Sequence, residues 1–211
     1  MKKSSFERSL GDFYFNMSLD IGFLVKIQKS QKVVKSVEEK RSVFEAFVLS
    51  ICANWEILVE ELLIDCLNKD TSNYKEYTGF RISKHIPRET CKAIILGTSY
   101  LDFKSVSNLK QIAKRILVPQ FNPFKEVPAS NGERIDEFFA LRNYLAHYSY
   151  AAKRSLQDIY RNKYNLKTFR RPGDFLLAED KDQKLPRMGV YINNFIATAD
   201  IMAKFCNVAI R

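Results

Sequence analysis

Hydrophobic positions along the chain recur mostly at steps of three and four. Between residues 5 and 30 they are Phe6, Leu10, Phe13, Met17, Ile21, Leu24 and Ile27, a spacing that places one apolar face on an amphipathic helix. Gly11 and Gly22 lower its helix propensity a little. A second run holds Phe44, Phe47, Ile51, Trp55, Leu58, Leu62 and Cys66. It opens with "SVEE", in which Ser36 as N-cap and Glu39 three residues on form a capping box. Residues 36–68 are therefore read as a long helix and the spine of the core, with Asn68 and Asp70 at its end.

Residues 71–87 show no period and are read as irregular, with His85 in a loop before Ile86-Pro87. Two shorter helices are expected near 88–97 and 104–117. "PQFNPFKEVP" is a proline-rich connector. "SNGERIDEFFALRNYLAHYSYAAKRSLQDIY" reads as one further long helix. Residues 165–188 are polar and charged with two prolines, an excursion in loop or hairpin form, and 189–210 are read as a closing helix. The expected fold is all-α: a bundle of five to six helices forming a single domain over 1–211. Its core spans about 36–155, the last helix completes it, and the excursion precedes that helix.

Composition supports this picture. Seven glycines and six prolines are few for a turn-rich β protein, and 46% hydrophobic with 13% aromatic residues suffices for a sizeable core. Thirty-four Lys and Arg against 24 Asp and Glu leave a formal charge of +10, which suits a polyanionic partner, nucleic acid above all. A basic protein without such a partner is the bland alternative. The cysteines, Cys52, Cys66, Cys91 and Cys206, include no CxxC pair, so neither a zinc site nor a disulfide framework is expected, and a reducing compartment is. Cys52 and Cys66 read as core residues. No apolar run has the length of a signal peptide or of the roughly 18 residues of a membrane span. A cytoplasmic protein without membrane attachment is expected. No phosphate-binding glycine loop, Ser–His–Asp set or cysteine nucleophile signature stands out, and no metal or cofactor is called for.

The chemistry candidates lie in the third long pattern. Turned by about 100° per residue, a continuous helix from Ile135 to Leu156 puts Phe138, Leu141, Leu145, Tyr148, Ala152 and Leu156 on a core face. Asp136, Asn143, His147 and Arg154 fall in a narrow band opposite, flanked by Ala140 and Ala151, with Arg142 between the faces. Such a band is either plain solvated surface or an interface whose small residues admit another helix.

An arginine, an asparagine directly after it and a histidine five positions from the arginine resemble the motif of the HEPN superfamily, whose ribonuclease members carry Arg–x(4–6)–His. Here the motif is Arg142, Asn143 and His147. "ANWEILVEELL", residues 53–63, is similar to the family's long first core helix, and the resemblance covers about residues 36–155. It implies a homodimer in which two motif helices face one another and share one composite site. Arg142 and His147 are about 140° apart on a single helix, so two copies across a dyad would meet one phosphate more easily than one copy. Asp136 of one chain would then pair with Arg154 of the other.

The implied activity is metal-independent RNA cleavage, of the kind found in bacterial toxin and phage-defence systems. RNA supplies its own nucleophile, the 2′-hydroxyl; a histidine with an ordinary pKa near 6.5 moves that proton; an arginine fork meets the growing charge on phosphate. Asn143 would orient His147 or bind a phosphate oxygen. Expected products are a 2′,3′-cyclic phosphate and a 5′-hydroxyl, DNA should resist, and an antitoxin or regulatory protein is a possible partner. A non-catalytic HEPN-like module binding a nucleotide, RNA or protein is the alternative. Arg154, Arg170 and Arg171 are candidate RNA-backbone contacts, although "FRRPGD", residues 169–174, reads equally well as a solvated turn. Tyr148 and Tyr150 are considered for base stacking, with Tyr148 read as packing. Glu56, Glu60 and Glu61 are read as a solvated helix face, and His85 as a loop residue.

Overall fold

The computed structural model describes residues 5–29, 36–97 and 103–208. Regular structure among them is all helical, in nine α-helices: α1 (Ser5–Lys29), α2 (Val37–Lys69), α3 (Ser72–Thr78), α4 (Arg88–Leu96), α5 (Val106–Ile116), α6 (Ala129–His147), α7 (Tyr150–Tyr164), α8 (Pro172–Leu177) and α9 (Arg187–Phe205). The all-α expectation holds, with more helices than the five to six anticipated. No helix is long and apolar enough to cross a membrane among the described residues.

The first two long patterns become helices where the sequence places them. The capping box of α2 closes in both directions: the Glu39 N–H donates to Ser36 Oγ at 3.0 Å and the Ser36 N–H to Glu39 Oε2 at 3.3 Å. Phe6, Leu10, Phe13, Met17, Leu24 and Ile27 of α1 are buried, as are Phe44, Ile51, Trp55, Leu58, Leu62 and Cys66 of α2. The proline-rich connector forms two 3-10 turns, Pro119–Phe121 and Pro123–Glu126. Residues read as irregular before His85 contain α3, a seven-residue helix with no buried side chain. Its polar composition hides it from any search by apolar period.

The chain divides into two compact units: Met1–Tyr14, Trp55–Gly132 and Ile196–Arg211 form one, Phe15–Asn54 and Glu133–Phe195 the other. In the first, Phe13 packs edge-on against Trp55 with ring centroids 6.1 Å apart. Arg88 at the start of α4 pairs with Glu61 and, at 3.1 Å, with the fully buried Asp65, which also accepts from Ser9 Oγ. Burial pushes the Asp65 carboxyl up and the Arg88 charge opposes that rise. Glu61 is thus tied into an ion-pair cluster, a correction to its reading as solvated surface.

In the second unit Phe138 of α6 meets Tyr191 and Phe195 of α9 at centroid distances of 5.2 and 5.3 Å. The Glu137 carboxylate, 6% exposed, accepts from Lys163 Nζ at 2.7 Å, Tyr164 Oη at 2.8 Å and Tyr191 Oη at 3.0 Å. This network joins α6, α7 and α9. Residues 165–188 are only in part the loop or hairpin expected. They contain α8, followed by an isolated antiparallel bridge between Glu179 and Pro186.

Candidate functional site

The motif residues sit at the C-terminal end of α6. His147 is its last helical residue and is exposed; Asn143, one turn earlier, is exposed too, and Arg142 is half-buried. Arg142 Nη1 donates to Asn143 Oδ1 at 3.2 Å. Guanidinium and amide side by side form a donor-rich edge, the kind of surface that phosphate oxygens accept from. Asn143 and His147, four residues apart, share one strip of helix, whereas Arg142 and His147 diverge by about 140°.

The continuous helix expected from Ile135 to Leu156 is broken directly after His147. Tyr148 takes a positive φ of 46°. Ser149 is extended, and its side chain caps α7 by accepting from the Ala152 N–H at 3.2 Å. Lys163, late in α7, reaches Glu133 and Glu137 in the first half of α6, so α7 folds back along α6 as a helical hairpin. Two features hide this break. Leu145 and Leu156 are eleven residues apart, close to three full turns, so the apolar stripe continues in register across the gap. The residue in the left-handed region is a tyrosine, where glycine or asparagine is usual. The signal that was present is Ser149, an N-cap residue ahead of an alanine-rich turn.

The break changes the site. Phe138, Leu141 and Leu145 are buried as the wheel requires, and Leu156 is buried on α7, but Tyr148 is 66% exposed and so is not core packing. Asp136 and Ala140 are half-buried on α6. Ala151 and Arg154 are exposed on α7, no longer on one straight band with His147. An Asp136–Arg154 pairing between two straight antiparallel helices loses its geometric basis.

The second half of "FRRPGD" is docked, so the segment is a solvated turn only in its first half. Pro172 and Gly173 are buried. The Gly173 N–H donates to Glu45 Oε1 at 3.2 Å, Arg171 pairs with Glu45 at 3.3 Å, and Arg41 Nε meets Asp174 at 2.8 Å. Arg171 is therefore answered by a carboxylate of its own unit, and both it and Arg170 are exposed.

Around the break lies an aromatic series. Tyr148 stands edge-on to Tyr144 at 5.4 Å, Tyr144 to Phe169 at 5.1 Å, and Phe169 meets the buried Tyr160 at 5.9 Å. Lys153 Nζ sits 5.0 Å from the Phe169 ring centroid, and Tyr150 is 82% exposed.

Other candidates are plainer. His85 is exposed in its loop. Cys52 and Cys66 are buried, and burial pushes the half-buried Cys206 thiol up to about 11, far from the range of a reactive thiolate. Among the described residues no cluster of His, Cys, Asp and Glu is arranged to hold a metal. A shallow cavity of about 450 Å³ on α1 and α2, lined by Leu19, Asp20, Phe23, Lys26 and Phe47 among others, contains no motif residue.

No family model, curated protein or solved structure matches this chain. The functional reading rests on the chemistry of the α6–α7 hairpin tip.

Proposed function

We propose that the protein is a metal-independent RNA endonuclease of the HEPN kind, acting as a homodimer with a site composed from both copies. The observation that carries this reading is the clustering of the motif at one helix end, with His147 and Asn143 exposed and Arg142 half-buried. His147 stands in solvent, Asn143 lies a turn behind it, and the Arg142 guanidinium is held against the Asn143 amide. His147 takes the proton of the 2′-hydroxyl; the 2′-oxygen attacks the neighbouring phosphorus; the bond from phosphorus to the 5′-oxygen breaks, and that oxygen leaves with the proton that the His147 imidazolium returns. Arg142 and Asn143 donate to the phosphoryl oxygens as their charge grows. An antitoxin or regulatory protein fits an activity that must be restrained.

The test is cleavage of RNA by purified protein in EDTA, beside His147→Ala. The variant is expected to be slower by about 10²–10⁴-fold, with 2′,3′-cyclic phosphate ends from the parent and no cutting of the matching DNA. Equal cleavage by both proteins would remove His147 from the mechanism.

One observation favours a second reading. No described residue hydrogen-bonds the His147 imidazole and so orients it, an arrangement common for a general base that a non-catalytic RNA-, nucleotide- or protein-binding module does not need. RNA bound but left intact in EDTA marks that alternative.

A further inference from the structure

The two most exposed tyrosines of the hairpin tip are not accounted for by catalysis or by packing. Tyr148 is 66% exposed and Tyr150 82%, and they flank the Ser149 cap. Tyr148 also holds a left-handed backbone conformation that bulky residues seldom adopt. Its ring is not loose: it rests on Tyr144, which rests on Phe169, which meets the buried Tyr160. An exposed ring braced from behind by further rings is a firm flat surface.

The charges nearby are sorted along α7. At its far end Lys163 is answered by Glu133 and Glu137, and Arg161 by Asp158 at 3.6 Å. In its first turns, beside the tyrosines, Lys153 lies over Phe169, and neither it nor Arg154 has a carboxylate partner among the described residues. Uncompensated cations and exposed rings therefore collect at the same end, next to His147.

We propose that Tyr148 and Tyr150 are a stacking platform for unpaired bases, with Lys153 and Arg154 on the backbone phosphates, so that this tip takes a single-stranded polynucleotide. The proposal rests on the RNA reading above for the identity of that strand. Exposed aromatic faces accept any base but only one that is unstacked, and paired bases present no free face. The platform would hold bases next to the phosphate offered to His147.

The experiment uses the full chain carrying His147→Ala, so that RNA stays whole, and a fluorescently labelled single-stranded RNA followed by anisotropy. Added Tyr150→Ala is expected to weaken binding about tenfold, and added Tyr148→Asn, which suits the left-handed backbone while removing the ring, by a similar factor. Tyr150→Trp should keep the affinity. A blunt duplex of the same sequence and an abasic ribose-phosphate strand of the same length should both bind weakly. Thermal melting of each variant checks that the fold is intact. Binding unchanged by loss of both rings, equal binding of the abasic strand, or no RNA binding at all would overturn the platform.

Cleavage by the parent protein, scored alongside, separates the two claims. His147-dependent cleavage with tyrosine-independent binding removes the platform alone. Tyrosine-dependent binding with no cleavage removes the nuclease reading and leaves the platform standing.

Discussion

Tyr148 and Glu137 are two residues whose roles their surroundings reveal. A tyrosine in the left-handed region costs on the order of 1–2 kcal/mol, which the edge-on pair with Tyr144 offsets in part. Glu137 is the reverse case, a carboxylate removed from water that is answered three times, by Lys163, Tyr164 and Tyr191. Burial pushes the Tyr191 hydroxyl pKa well up, with the adjacent carboxylate adding to it, so that hydroxyl stays a donor. Glu137→Ala leaves it in the core without its carboxylate acceptor, and is expected to cost about 3 kcal/mol. Urea unfolding measures this directly, and a loss below about 1 kcal/mol would mean the network contributes little. In the sequence Glu137 is one more acidic residue in a helix; nothing local marks it as buried, because its partners lie up to 54 positions away.

At the scale of elements, local signals told where helices begin more reliably than where they end. Ser36 and Glu39 made the start of α2 legible because both partners lie within four residues. The break between α6 and α7 was not legible from period, since three turns of helix span almost the eleven residues separating Leu145 from Leu156. The seat of α8 was illegible too, because it depends on α2. A Cβ on Gly173 would lie 2.7 Å from the Arg41 carbonyl oxygen and 2.9 Å from its Cα, contacts with backbone that cannot turn aside. Gly173→Ala should therefore lift α8 away from Arg41 and Glu45 at a cost of about 1–3 kcal/mol, a drop in Tm of several degrees for a chain of this size. A melting temperature within a degree of the parent would show that α8 is not held there.

For the whole molecule, with a net charge of +10 and a motif at one helix end, the composite dimer asks most of the structure. It is tested by mixing two inactive proteins, His147→Ala and Arg142→Ala. If the arginine and histidine that act together come from different copies, a mixed dimer keeps one such pair, and activity should return to roughly a quarter to a half of the parent in a random mixture. Activity that stays at the level of either variant alone would place both groups of one site in one chain. Light scattering on the parent, with a chain mass of 24.6 kDa, decides whether a dimer exists at all.

The sequence by itself determined the helical character of the chain, the position of α2 and its cap, and most of the apolar positions of α1, of one stripe of α2 and of the first part of α6. These follow from period and from contacts within a turn or two, which the order of residues encodes directly. Tertiary structure alone decided that Tyr148 faces solvent, that Arg171 pairs with Glu45, and that Glu61 and Glu137 are held in ion pairs. Each depends on groups tens of residues apart competing for the same space or charge, and no periodicity in the chain records the outcome of that competition.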